Sequence, residues 1–208
     1  MISEFTEFCI YLCKLTMLIL LHGPDTFRSR RRLKEMRREF IVKRDPSGLN
    51  LAVFDAASAD HSVMMTETLA APFLAAKRLV IIENLLSSES PDNWLDFLKE
   101  HQKNENIVIF WEDQTPDQHG ALFKFLADQQ YSQEFPILAG VKLAEWLRSE
   151  AASSGIVIDS AAINDLVRRI GGDLWRLSNE AAKLAAYAAA KGQTEITLLA
   201  VKAFGNQE

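Results

Sequence analysis

Four short apolar segments, separated by longer stretches with helical spacing, limit the folds open to this chain more than any other feature. The segments lie at residues 17–21, 49–55, 79–82 and 106–111. The stretches between them are too long for hairpins, and they carry apolar residues three and four positions apart, as amphipathic helices do. Strands that alternate with helices form a parallel sheet covered by those helices. The sequence therefore predicts an α/β domain.

The pattern changes near residue 135, after which the chain reads mainly as helix. Asp159 and Asp173 are placed as N-caps, and Gly192 lies just beyond a helix end, where glycine is favoured. The helices are predicted at residues 141–154, 160–170, 173–191 and 197–204. A small all-helical domain is therefore expected to follow the α/β domain.

The change of pattern also sets the domain boundaries. We expect the α/β domain over residues 17–137 and the helical domain over residues 138–208, with residues 1–16 as an uncertain leader. The leader begins with acidic residues, so it lacks the positive start of a secretory signal, and its charges argue against a membrane span. Cys9 and Cys13 are the only cysteines, which excludes a zinc site built from cysteine alone and fits a reduced, cytoplasmic compartment.

Charge is distributed unevenly along the chain. The whole sequence of 208 residues has a formal charge of -5, yet residues 27–44 contain nine lysines or arginines and only two glutamates. A basic helix on an acidic body favours a local contact with an anionic surface over general coating of nucleic acid. Within this segment, the candidates for a contact with DNA or with another subunit are Arg28, Arg30, Arg31 and Arg32. The alternative is an ordinary solvated helix face.

The first strand and helix are laid out like a nucleotide-binding unit that has lost its binding residues. A phosphate loop reads Gly-x-x-x-x-Gly-Lys-Ser/Thr, with backbone amides and the lysine on the phosphates and the hydroxyl on Mg²⁺. Counted from Gly23, Arg28 stands at the second glycine, Ser29 at the lysine and Arg30 at the hydroxyl. This degenerate loop is not expected to bind ATP, and neither a metal nor another cofactor is expected.

Four stretches resemble one family within the AAA+ class, namely the delta subunit of the bacterial DNA polymerase III clamp loader. They are Gly23-Pro-Asp-Thr-Phe-Arg-Ser29, Ala71-Pro-Phe-Leu-Ala-Ala-Lys-Arg-Leu-Val-Ile-Ile82, Leu143-Ala-Glu-Trp-Leu147 and Gly171-Gly-Asp-Leu-Trp-Arg-Leu-Ser-Asn-Glu180. The resemblance implies an AAA+-like domain followed by a helical lid. The family's third, collar domain would begin where this sequence ends, so we expect it to be absent from this chain.

The resemblance also implies a function. A delta subunit binds the ring-shaped sliding clamp, the beta subunit, and opens one of its interfaces without hydrolysing ATP. Its other partners are the gamma/tau and delta prime subunits, with primed DNA contacted indirectly. The clamp-binding residues implied here are Leu69, Pro72, Phe73 and Leu74. The alternative for Phe73 is that its side chain packs under the sheet.

Two other functions remain open at this point. One is a divergent AAA+ nucleotide hydrolase with a non-standard loop. Glu112 and Asp113 follow the fourth strand, where open sheets place ligands, but a Mg²⁺ role for them would need phosphates nearby, and the loop to hold phosphates is missing. However, Trp175 stands where active AAA+ proteins place an arginine after the Gly171-Gly172 pair, and Arg176 is one position off. The other is a fold-related protein-interaction module without a clamp partner. Catalysis by this chain itself is not expected under either the delta or the module hypothesis.

Overall fold

The computed structural model describes residues 16–88, 91 and 93–205. The uncertain leader therefore lies, except for Thr16, outside the described residues. The chain divides into two compact units, the first ending at Pro136 and the second beginning at Ile137.

A five-stranded parallel sheet forms the centre of the first unit. Its strands are β1 (Met17–His22), β2 (Leu51–Asp55), β3 (Leu79–Glu83), β4 (Ile107–Trp111) and β5 (Gln133–Glu134). Their order across the sheet is β2-β3-β4-β1-β5, and every neighbouring pair is parallel. The predicted parallel sheet with flanking helices is confirmed. The fifth strand was not predicted, because its two residues are polar and exposed.

Among the described residues, four helices cover the two faces of this sheet. They are α1 (Thr26–Arg44), α2 (His61–Leu69), α3 (Asn93–Glu100) and α4 (Ala121–Ala127). Side chains alternate along each strand, so Leu18 and Leu20 pack with α2, α3 and α4, whereas Ile19 and Leu21 pack with α1. Burial on both faces explains why the central strands are continuous apolar runs.

The helices of this unit are shorter than the stretches between the predicted strands: α2 ends at Leu69, α3 ends at Glu100 and α4 spans only Ala121–Ala127. Asp60 and Asp25 cap α2 and α1 through their carboxylates, which fixes where those helices begin.

The second unit is mainly helical. Its elements are α5 (Gly140–Ser153), β6 (Val157–Ile158), α6 (Ser160–Ile170), α7 (Leu174–Ala190), β7 (Glu195–Ile196) and α8 (Leu198–Gly205). The predicted N-caps are confirmed: Asp159 accepts the Ala162 N–H at 2.6 Å and Asp173 accepts the Arg176 N–H at 3.1 Å. The parallel pair β6–β7 adds a small ladder to what was expected to be all helix, since strands of two residues leave no sequence pattern.

Within the described part of the chain, none of the helices has both the length and the apolar character required for a membrane span.

Candidate functional site

The loop between β1 and α1 is closed by its own side chains. Only Gly23, Pro24 and Asp25 separate the strand from the helix. The Asp25 carboxylate accepts the Arg28 N–H at 3.0 Å and forms an ion pair with the Arg28 guanidinium at 2.5 Å. A helix N-terminus binds a phosphate through such free N–H groups. Here one of these groups, the Arg28 N–H, is already bonded to the Asp25 carboxylate.

The same loop is hydrogen-bonded to Phe135, the residue that directly follows β5. The Phe135 N–H donates to the His22 carbonyl at 2.8 Å, and the Asp25 N–H donates to the Phe135 carbonyl at 3.0 Å. Gly23 has a φ of +119° between these bonds, and a Cβ there would lie 2.6 Å from the Phe135 oxygen. Gly23 is thus required for a close approach of two backbones, not for room around a ligand.

We predict that Gly23→Ala destabilises the protein by about 3 kcal/mol, because it adds both backbone strain and a clash with the Phe135 carbonyl. Urea unfolding measures the change. Gly48→Ala is the control: Gly48 also has a positive φ, +70°, but open space around its Cβ position, so about 1 kcal/mol is expected. Equal losses for the two variants would contradict the proposed clash.

The residues at the lysine and hydroxyl positions of the degenerate loop contact the strand ends. Ser29 is buried and accepts a hydrogen bond from the Trp111 indole at 3.1 Å. Arg30 lies 3.4 Å over the Trp111 ring and pairs with a Glu83 carboxylate oxygen at 2.5 Å. Glu83 and Trp111 end β3 and β4, which is the edge where open sheets bind ligands. Neither Glu83 nor Trp111 was predicted as a site residue from the sequence, although their positions at strand ends could have indicated them.

Three of the four arginines predicted to contact DNA or a subunit pair with acidic side chains of the same unit: Arg28 with Asp25, Arg30 with Glu83 and Arg32 with Glu35. Arg28 also donates to the Pro136 carbonyl, and Arg32 lies 3.5 Å from a Glu35 oxygen. Arg31 is the only exposed member of the set, and it lies over the Phe27 ring. The exposed cations of α1 are Arg31, Lys34, Arg37, Arg38 and Lys43.

The turn after α2 presents two apolar side chains to solvent. We call residues 69–74 the docking turn. Phe73 is 58% exposed and Leu74 is 93% exposed, so Phe73 does not pack under the sheet. Leu69 and Pro72 are half-buried at the base of the turn. Leu74 has a φ of +51°, a left-handed conformation that is uncommon for leucine. Of the four residues predicted for clamp binding, Phe73 and Leu74 are thus exposed, and Leu69 and Pro72 are half-buried.

Two buried asparagines hold the docking turn to the sheet domain. The Asn50 amide nitrogen donates to the Phe73 carbonyl at 2.9 Å, and its oxygen accepts the Phe73 N–H at 2.5 Å. The Asn106 amide donates to the carbonyls of Thr68 at 3.0 Å and Ala70 at 2.9 Å, which satisfies the end of α2. Neither asparagine was identified from the sequence.

Glu112 is a buried carboxyl group at the end of β4. It accepts the Leu86 N–H at 2.8 Å and the Ser87 hydroxyl at 3.2 Å. Burial raises the pKa of Glu112 to about 7, and these two hydrogen bonds only partly oppose the rise. Its oxygens are thus used to hold the segment after β3.

The Gly171-Gly172 turn leads directly into α7. Gly171 has a φ of +75° and ends α6, while Asp173 caps α7. Trp175 is 47% exposed. Arg176 binds the Asp173 carboxylate through its backbone N–H.

No protein-family profile and no curated protein sequence matches this chain. Among solved structures, it is similar to the Bacillus subtilis DNA clamp loader delta protein YqeN, with a TM-score of 0.61 and 21% identity over 90% of this chain and 57% of that one. It is also similar to the Thermotoga maritima RuvB Holliday junction branch migration motor, with a TM-score of 0.56 and 12% identity over 89% of this chain and 59% of that one.

A mutant form of the same RuvB aligns with a TM-score of 0.58 and 12% identity over 89% of this chain and 60% of that one. This chain therefore spans about three fifths of the length of these structures. The sheet order, the flanking helices and these similarities show that the chain has the AAA+-like fold that clamp-loader delta and RuvB proteins share.

Proposed function

We propose that this protein acts as a clamp-loader delta subunit that binds a sliding clamp through its docking turn and favours an open clamp interface. The observation that carries the proposal is the pair of exposed apolar side chains, Phe73 and Leu74, on a turn that is fixed to the domain. Exposed apolar residues on a rigid support are suited to fill a hydrophobic pocket on a partner.

The opening would require no nucleotide chemistry in this chain. A protein that binds the open clamp more tightly than the closed one shifts the population toward the open form by its differential affinity. ATP-driven steps would then belong to the gamma/tau subunits of the complex, with delta prime as a further partner and primed DNA contacted indirectly. The proposed place of action is the cytoplasm.

The similarity to the RuvB motor raises the alternative of nucleotide hydrolysis. The loop before α1 argues against it, because Asp25 caps the helix and Arg30 is held between Glu83 and Trp111. These contacts already engage the Arg28 N–H and the Arg30 guanidinium, two groups that would otherwise be offered to a phosphate. The third hypothesis is an interaction module with a different partner. Such a module would use the same docking turn, so only a binding test distinguishes it from a delta subunit.

A contact of α1 with DNA or a neighbouring subunit is a further part of the proposal. Its cationic face would be Arg31, Lys34, Arg37 and Arg38, which are exposed, whereas Arg28 and Arg30 already form ion pairs within the unit. Contacts with phosphates weaken as salt rises, so a salt titration of DNA binding tests this part.

The test is binding of this chain to the immobilised sliding clamp of the same organism, measured with and without ATP. We expect saturable binding of the same affinity in both conditions, and no phosphate release from ATP by the chain alone. ATP turnover would favour the hydrolase alternative. A folded chain that does not bind the clamp would favour the interaction module.

A further inference from the structure

We infer that Asn50 is the positioning residue of the docking turn: its buried side chain fixes the backbone of Phe73 and so sets the direction in which Phe73 and Leu74 project. The inference rests on the proposed function for its consequence in binding. Its structural part, the immobilisation of the turn, can be tested without any partner.

The side-chain amide of Asn50 makes two hydrogen bonds with the Phe73 backbone, as a neighbouring β-strand would. It donates to the Phe73 carbonyl at 2.9 Å and accepts the Phe73 N–H at 2.5 Å. Both backbone polar groups of one residue are thus satisfied by one side chain. Asn50 is fully buried, and its own carbonyl accepts the Leu79 N–H at the start of β3. The docking turn is therefore held to the sheet at Phe73, the first of its two exposed apolar residues.

Asp45 determines which way the Asn50 amide faces. Its buried carboxylate accepts the Asn50 backbone N–H at 2.7 Å and a side-chain amide hydrogen at 3.1 Å. A carboxylate can only accept, so the amide nitrogen must lie on its side, and the amide oxygen is left for the Phe73 N–H. Asp45 in turn ends α1, where its N–H donates to the Phe40 carbonyl.

Fixing the turn matters because its conformation is unfavourable by itself. Leu74 is left-handed and 93% exposed, so its own side chain makes little contact that could hold it there. A turn that must be ordered at the moment of binding loses affinity, whereas a turn already in the bound form does not. Asn50 lies beneath the surface and would act on a partner only through Phe73 and Leu74.

The test uses the full chain with Asn50→Ala, and Ser47→Ala as the matched control. Ser47 donates to the same Asp45 carboxylate at 2.7 Å but is exposed, and the hydrogen bonds described for Phe73 are with Asn50. Chymotrypsin, which cleaves after Phe and Leu, reports on the freedom of the docking turn. We expect at least about tenfold faster cleavage at Phe73 or Leu74 in Asn50→Ala than in the control, and clamp affinity lower by a similar factor because less of the chain is binding-competent.

Two measurements keep the inference independent of the folding of that variant. In the wild-type chain the Phe73 amide should exchange its hydrogen slowly, and exchange as fast as in a free peptide would overturn the inference. Asn50→Asp keeps the size of the side chain and an acceptor for the Phe73 N–H but loses both N–H donations, so cleavage at the turn should be faster than in the wild type and slower than in Asn50→Ala.

Cleavage at the turn unchanged in folded variants, or faster cleavage with unchanged clamp affinity, would refute the positioning role. If the wild-type chain does not bind the clamp, the proposed function fails, and cleavage and hydrogen exchange still decide whether Asn50 holds the turn.

Discussion

Replacing Phe73 and Leu74 together by alanine is expected to weaken binding to the sliding clamp by at least about 100-fold. Side chains at the centre of a protein interface commonly contribute about 2 kcal/mol or more each, and 1.4 kcal/mol corresponds to a factor of ten in affinity. The two residues are 58% and 93% exposed in the free chain. Since they add little to its core, the unfolding free energy should change by less than about 1 kcal/mol.

Surface plasmon resonance on the immobilised clamp measures the affinity, and urea unfolding measures the stability of the same samples. Val63→Ala is the control, because Val63 is 49% exposed on the adjoining helix α2 and outside the docking turn. It should bind as the wild type does. If the double alanine variant keeps its affinity while the wild type binds, the clamp contact lies elsewhere on the chain.

The central strands could be predicted because each one is buried on both faces. The segment Leu79–Glu83 contains four buried apolar residues in a row, and Ile107–Trp111 contains five. Such apolar runs can be recognised as strands without knowing which segments lie beside them. β5 leaves no such signal, since Gln133 and Glu134 are polar and exposed and pair with β1 through their backbones. The order of the strands also depends on contacts between distant segments, so it came from the structure.

The candidate site likewise has parts that could be predicted from the sequence and parts that could not. Gly23, Arg28, Ser29 and Arg30 could be placed by counting along one motif, and the docking turn could be named from a local resemblance. Their partners could not, because Asn50 is 23 residues before Phe73 and Trp111 is 82 residues after Ser29. What holds a local motif in place is a long-range contact, and no local pattern in a single sequence specifies it.

The carboxyl of Glu112 is expected to contribute a loss of stability between about pH 4.5 and pH 7. Burial raises its pKa to about 7 in the folded chain, against 4.5 as the ordinary value. Between these values the folded state holds more protons than the unfolded state, so the unfolding free energy decreases as the pH rises. The shift corresponds to a penalty of about 3 kcal/mol that is complete above pH 7 and absent below pH 4.5.

Glu112→Gln should remove this penalty, because a neutral amide of the same shape can still accept the Leu86 N–H. Urea unfolding of variant and wild type at pH 5 and pH 8 gives the difference in unfolding free energy at each pH. That difference should shift in favour of the variant by about 2–3 kcal/mol from pH 5 to pH 8. Glu105→Gln is the control, because Glu105 is exposed and its replacement removes no buried carboxylate. A difference that stays constant with pH would mean that Glu112 titrates alike in the folded and unfolded chain, and that water reaches its carboxyl group in the folded state.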